Sequence, residues 1–247
     1  MEHMRNIKLI LEYDGTNYSG WQWQDNAPTL QGALEKAIHR ITGEALRVSA
    51  SGRTDAGVHA YGQVVNFRTG SGLDIDKWRG ALNHYLPADM KVLQVEGAPD
   101  EFDARRSARG KRYEYIVLNR YVSSPLTRTR AWHVAVPLDV DAMRRAGEAL
   151  IGECDFSSFR GAGCSAKSPV RELTGLDIVR DGDRIVFTLK AYAFLRHMVR
   201  NIVGTLVEVG RGRLTPEDVA VILDARDRTK AGLTAPPQGL YMVEVEY

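Results

Sequence analysis

Apolar and polar positions fall into short blocks of two kinds along this chain. "NIKLILEYDG" is β-rich and ends at Asp14-Gly15. "TLQGALEKAIHRITGE" instead places Leu30, Ala33, Leu34, Ala37, Ile38 and Ile41 at helical spacing, with Thr29 in position to cap the N-terminus. "LRVSASGRT" and "GQVVNFRT" then read as strands, "DIDKWRGALNHYL" as a second amphipathic helix and "MKVLQVEGA" as a further strand. The resulting β-α-β-β-α-β order is the ferredoxin-like pattern, which predicts an antiparallel sheet with helices on one face.

The second half repeats the theme with insertions. "KRYEYIVLN" and "RAWHVAV" predict strands, "DVDAMRRAGEALIG" a helix, and "RELTGLDIVRDGDRIVFTLKAYA" a long hairpin turning at Asp181-Gly182. "FLRHMVRNIVGTLVEVG" predicts a helix from Phe194 onward. Phe194, Met198, Ile202 and Leu206 would lie on its buried face, with Leu195, Val199, Val203 and Val207 beside them. Arg196 and Arg200, four apart, would share a stripe, and the apolar flanks of Arg200 predict partial burial with an acidic partner, for which Asp55 is a candidate. "TPEDVAVILDA" follows as a short helix with Thr215 as N-cap and Pro216 at its first position, and "GLYMVEVEY" closes as a strand. The basic stretch near residues 104 to 111 marks the expected boundary, giving halves 1–104 and 105–247 within an α+β class.

Composition narrows the picture. A chain of 247 residues that is 44% apolar can bury one large core or two smaller ones. Its longest apolar runs fall short of the roughly 20 residues a membrane helix needs, and its start lacks the layout of a signal peptide, so a soluble cytoplasmic protein without membrane contact is expected. Cys154 and Cys164 suit buried free thiols better than a disulfide, and no His/Cys run has metal-binding spacing. With neither a Gly-x-Gly-x-x-Gly turn nor a Walker loop, no metal and no nucleotide cofactor are called for.

Net charge is only +2, but its distribution is uneven. "ARRSARGKR" concentrates Arg105, Arg106, Arg109, Lys111 and Arg112. Any one such cluster reads most simply as solvated surface; several flanking the same polar motifs favour a phosphate-binding face. Between two predicted strands stands "SGRTDAGVHA", where glycines permit tight turns. An aspartate in such a loop is ordinarily a turn-former, which suits Asp14 and Asp181; at Asp55 that reading leaves Arg53 and His59 unexplained.

Together "LEYDGTNYSGWQWQ", "SGRTDAGVHA", "ARRSARGKRYEYIVLN", "DFSSFRGAGCSAKSPVRE", "FLRHMVRNIVGTLVEVGRGRL" and "APPQGLYMV" resemble, in order and over nearly the whole chain, the tRNA pseudouridine synthase A family. The resemblance implies two ferredoxin-like α/β halves sharing a central mixed, mainly antiparallel sheet with the active cleft between them. It implies that Asp55 is the essential aspartate, Tyr113 the tyrosine that stacks on the target base, Arg200 the arginine that pairs with the aspartate, and Arg53 the arginine that helps displace the base. His59, Arg105, Arg106, Arg109, Lys111 and Arg112 join Arg53 as the expected substrate-binding set. The expected partners are the tRNA anticodon arm, modified at positions 38, 39 and 40, and a second copy in a homodimer. Two departures from the family pattern, Ser51 for a common alanine and Ser165 for a frequent glutamine, leave the aspartate untouched.

The chemistry agrees. Converting uridine to pseudouridine breaks the N1–C1′ bond, turns the uracil and joins C5 to C1′, with no redox step and no external group. A carboxylate, an aromatic face and a cation suffice for that. Asp55 attack at C1′, addition to C6, and assistance to glycal formation all remain open. A non-catalytic RNA-binding module would not need the Asp55, Tyr113 and Arg200 set, and a glycoside-type hydrolase would want a second carboxylate, for which the loop offers none.

Overall fold

The computed structural model describes residues 4–247, which divide into two units. The first comprises the chain up to Arg109 together with Met242–Tyr247; the second is Gly110–Tyr241.

In the first unit, β1 (Arg5–Tyr13) buries Ile7, Leu9, Leu11 and Tyr13 on alternate positions, the signature of a strand with one face on a core. It pairs antiparallel with both β3 (His59–Thr69) and β4 (Met90–Ala98). The strand order is β4-β1-β3-β10, where β10 is Leu240–Glu246, and the two-residue β2 (Ser49–Ala50) also pairs with β3. Helix α1 (Leu30–Thr42) starts where Thr29 accepts a hydrogen bond from the Gly32 amide at 3.2 Å and buries Leu30, Leu34, Ala37 and Ile38. Helix α2 (Ile75–Tyr85) sets Trp78 edge-on against Phe67 of β3, ring centroids 5.4 Å apart. The β-α-β-β-α-β order expected for this half is the order observed.

The second unit follows a related plan. β5 (Gly110–Asn119), β9 (Arg184–Ala191), β8 (Val170–Asp181) and β7 (Gly152–Asp155) lie side by side in that order, antiparallel throughout, while β6 (Trp132–Val134) runs parallel to β5. Its helices are α3 (Val140–Glu148), α4 (Met198–Gly210) and α5 (Asp218–Ala225). Two units built of mostly antiparallel strands with segregated helices place the chain in the α+β class.

Several local expectations change. The division falls at Arg109/Gly110 rather than 104/105, and the last six residues return to the first unit, because the Arg109 amide bonds Glu246 and the Tyr247 hydroxyl bonds the Ala104 carbonyl, at 2.8 Å each. Helix α4 begins at Met198, not Phe194. His197 adopts φ 60°, ψ 3°, and the Arg196 carbonyl accepts the Gly161 amide at 2.8 Å, so tertiary bonding ends the apolar pattern's claim on 194–197. Arg196 therefore shares no helical stripe with Arg200. Helix α5 proper starts at Asp218, although Thr215 and Asp218 exchange side-chain to backbone hydrogen bonds at 2.7 and 3.3 Å, the reciprocal capping expected of Thr215. Both cysteines are free but half-buried rather than buried.

Candidate active site

Asp55 sits half-buried in the eight-residue loop between β2 and β3 of the first unit. Its carbonyl accepts the Val58 amide at 3.1 Å, closing a turn in which Gly57, at φ 77°, occupies the position that a side chain would strain. Beneath the loop lies a buried polar network. Ser51 donates through its hydroxyl to Gln63 Oε1 at 2.6 Å, and Gln63 Nε2 donates to the Gly52 carbonyl at 2.7 Å. The Tyr13 hydroxyl and Thr54 Oγ1 are 2.8 Å apart, and the Thr54 carbonyl accepts the Trp21 amide at 3.0 Å. Burial pushes the Tyr13 phenol far above its usual range, partly opposed by its hydrogen bonds to Thr54 and Gln63. It therefore stays a neutral hydroxyl, and the loop is held by hydrogen bonds on both sides of Asp55.

His59 closes the loop from the other end. It is 1% exposed, with Nδ1 3.1 Å from the Gly15 amide and 3.0 Å from Asp14 Oδ1. One nitrogen serves only one of these at a time: bare, it accepts the amide; protonated, it donates to the carboxylate. Gly15 is required here for close approach, since a Cβ on it would collide with the Val58 carbonyl. Arg53, by contrast, is exposed.

In the same unit Arg105 and Arg106 are exposed on a turn organised by Asp103, whose Oδ1 accepts both their amides at 3.0 and 2.8 Å while Oδ2 accepts the Ser49 hydroxyl at 2.9 Å. Burial alone would raise the Asp103 carboxyl, but the Arg106 amide, the Ser49 hydroxyl and the Arg105 amide together outweigh it and hold the group below its usual range. Arg109 is exposed at the end of this segment.

The other expected residues belong to the second unit. Lys111, Arg112 and Tyr113 are successive on β5, and Arg112 pairs with Glu114 at 3.0 Å on the same face, so part of its charge is already met. Tyr113 is buried opposite Leu189 of β9, its ring set edge-on to Phe194 with centroids 5.0 Å apart. Arg200, in the first turn of α4, donates from Nε to the Ala235 carbonyl at 2.7 Å while its own carbonyl accepts the Ala235 amide at 3.1 Å. Its neighbour Asn201 receives the Thr234 hydroxyl at 2.7 Å and gives its amide to the Phe159 carbonyl at 2.8 Å. Burial raises the Tyr115 phenol well above normal and the Arg200 charge partly counters it. The second unit thus fixes an aromatic ring on a strand and a guanidinium on a helix start, and the first unit fixes a carboxylate in a braced loop.

The residues sequence reasoning missed are the supports: Tyr13, Thr54, Gln63 and Phe194. Only Gln63 carried a signal, as a polar residue inside the apolar run "YGQVVNF". Among the described residues no group of three or more His, Cys, Asp or Glu side chains could hold a metal ion, and no helix is long and apolar enough to cross a membrane.

The profile of the family described as tRNA pseudouridine synthase matches residues 9–105 and 146–247. A tRNA pseudouridine synthase A from Thermoanaerobacter sp. (strain X514) is 47% identical over 99% of this chain and 100% of its own length. That of Myxococcus xanthus is 49% identical over 99% of this chain and 92% of its own, and that of Rhodopseudomonas palustris (strain BisA53) 49% identical over 99% and 100%. Solved structures are more distant: a chain of a Cbf5-Nop10-Gar1 complex is 12% identical with a TM-score of 0.41, over 96% of this chain and 49% of that one, too slight to bear on the fold. The relatives agree along nearly the full length and the profile over most of it, and the chain belongs to the tRNA pseudouridine synthase family, a family of uridine isomerases.

Proposed function

We propose that this isomerase acts on the tRNA anticodon arm, at positions 38, 39 and 40, with Asp55 as its nucleophile. The observation that carries the reading is the asymmetry of the Asp55 loop. Its neighbours Ser51 and Thr54 are buried and hydrogen-bonded beneath it, while Asp55 itself stays half-exposed on a tight turn. A solvating turn aspartate needs no such scaffold; a carboxylate that must meet a sugar or base in fixed geometry does.

The reaction moves one bond. N1–C1′ breaks, the detached uracil turns, C5–C1′ forms, and the C5 proton is released as N1 gains one. Asp55 assists departure of the base by attack at C1′, addition at C6 or glycal formation. Tyr113 supplies the stacking face for the uracil and, through its phenol, a base for the C5 proton. Arg200 favours the ionised form of Asp55. Arg53 assists displacement of the target base, which leaves its stack at a cost of a few kcal/mol. Arg105, Arg106, Arg109, Lys111 and Arg112 meet phosphate, and His59 acts through the loop it braces. The enzyme works in the cytoplasm as a homodimer, without metal or cofactor.

The test is incubation with unmodified tRNA transcripts followed by base-resolved mapping of pseudouridine. Signal confined to positions 38 to 40 supports the reading, and signal elsewhere refutes the assignment of the arm. Asp55→Asn, nearly isosteric but unable to act as an anionic nucleophile, is expected to bind tRNA and lose turnover; activity within tenfold of wild type removes Asp55 from the mechanism.

A further inference from the structure

Trp23 stands out among the tryptophans of the first unit. Trp21 and Trp78 are buried there, yet Trp23 remains 38% exposed. It is nevertheless fixed. Its amide donates to Gln31 Oε1 at 3.0 Å, and its indole edge lies against the first turn of α1 at Gly32. The Arg47 guanidinium lies 4.4 Å from the ring centroid. Arg47 is itself held, donating to Glu35 Oε2 at 2.7 Å, while the other oxygen of Glu35 accepts Gln31 Nε2 at 2.8 Å and the Val48 amide at 3.1 Å. Glu35 is thus committed within the protein, its charge matched by Arg47.

This cluster is tied to the catalytic loop. The Trp21 amide donates to the Thr54 carbonyl, one residue before Asp55, and the Trp21 carbonyl accepts the Gln31 amide, at 3.0 Å each. Two residues of backbone, at most about 7 Å, separate Trp21 from Trp23. A rigid, partly exposed indole backed by a guanidinium is the apparatus proteins use to stack an unpaired base, because every base offers a π-face and the cation strengthens the platform electrostatically. Burial in the core would have needed neither the exposure nor the arginine.

We infer that Trp23, backed by Arg47, is a stacking site for an unpaired base of the RNA substrate flanking the target uridine. The inference rests on the proposed action at tRNA. The site supplies affinity and register without touching the reacting atoms, so Trp23 is a substrate-positioning residue.

The experiment uses the full chain, an unmodified tRNA transcript, and the variants Trp23→Ala, Trp23→Phe and Arg47→Gln. Trp23→Ala is expected to raise Kd and KM by roughly 5- to 150-fold, the range of one base–aromatic stack, with kcat and melting temperature near wild type. Trp23→Phe recovers most of the loss, and Arg47→Gln gives a smaller one. RNA binding quenches tryptophan fluorescence in wild type and much less in Trp23→Phe. Unchanged Kd and KM in Trp23→Ala overturn the inference, as does a loss that follows a lowered melting temperature and is not recovered by phenylalanine. A shift toward monomer in sedimentation with unchanged RNA affinity also overturns it, assigning Trp23 to a contact with a second copy. Wild-type pseudouridine formation on the same transcript reports separately on the proposed function. Turnover with unaffected Trp23→Ala binding sinks only the stacking site; wild-type binding without turnover sinks only the activity.

Discussion

Tyr13→Phe removes a single oxygen from the floor of the Asp55 loop. That oxygen is 2.8 Å from Thr54 Oγ1 and 3.5 Å from Gln63 Nε2, and both Tyr13 and Thr54 are buried. Gln63 keeps its 2.7 Å bond to the Gly52 carbonyl, so the principal orphan is the Thr54 hydroxyl. A buried polar group stripped of its partner costs about 1 to 3 kcal/mol. For a chain of this size each kcal/mol lowers the melting temperature by about 2 to 4 °C, giving an expected fall of about 2 to 12 °C. Loosening Thr54 also frees its neighbour Asp55, and misplacement by an ångström is enough for a loss of roughly 100-fold, so kcat is expected to drop by about 10- to 100-fold with KM little moved. Thermal unfolding and tritium release from 5-labelled uridine in tRNA measure the two effects. Because the lost interaction is pairwise, Thr54→Val combined with Tyr13→Phe should do less damage than the two single effects added. A Tyr13→Phe enzyme that melts and turns over like wild type, or strict additivity with Thr54→Val, refutes the argument that this pair positions the loop.

Three further outcomes follow from the same geometry. Tyr113→Phe retains the ring set against Phe194 but loses the phenol, so it should bind tRNA like wild type and turn over slowly, whereas Tyr113→Ala loses both roles; wild-type turnover by Tyr113→Phe leaves stacking as the tyrosine's only part. Neutralising Arg105, Arg106 and Arg109 together should weaken tRNA binding and flatten its dependence on salt, and an unchanged salt slope would mark the stretch as ordinary solvated surface. Asp103 has a folded-state pKa below its ordinary value of 3.8, so its support of the Arg105–Arg106 turn is present above that pH and disappears as the pH falls below it; the stability advantage of wild type over Asp103→Asn, measured by denaturant unfolding, should shrink over that acid window, and a constant difference contradicts the role of the carboxylate.

Elements whose own residues carry the signal were legible in the sequence. Thr29 caps α1 where its side chain and the apolar spacing place the start, and the hairpin of β8 and β9 turns at Gly182 as its Asp-Gly predicts. Phe194 to His197 read as helix because apolar residues continue at the right interval, and long-range bonds from the Gly161 amide to the Arg196 carbonyl and from Arg196 Nη1 to the Ala162 carbonyl, formed across 35 and 34 residues, take that segment out. The supports of the candidate site were hidden for a similar reason. Tyr13 looks like any inward-facing strand aromatic, and its role exists only once β1, β3 and the loop bring Thr54 and Gln63 to it.

The return of Met242–Tyr247 to the first unit bears on how the protein is made. That unit is discontinuous in the chain: synthesis yields strands β1, β3 and β4 early, but the strand that lies beside β3 arrives only after all of the second unit. Until then the stretch of β3 that β2 does not cover presents an open edge, the kind of surface that pairs promiscuously with other chains. The tail also reaches the underside of the Asp55 loop, where Met242 Sδ is 3.9 Å from the Ser51 hydroxyl. A nascent chain halted before residue 242 holds every residue of the Asp55 loop yet lacks part of its floor, so the full bracing of that loop is among the last features the growing polypeptide completes.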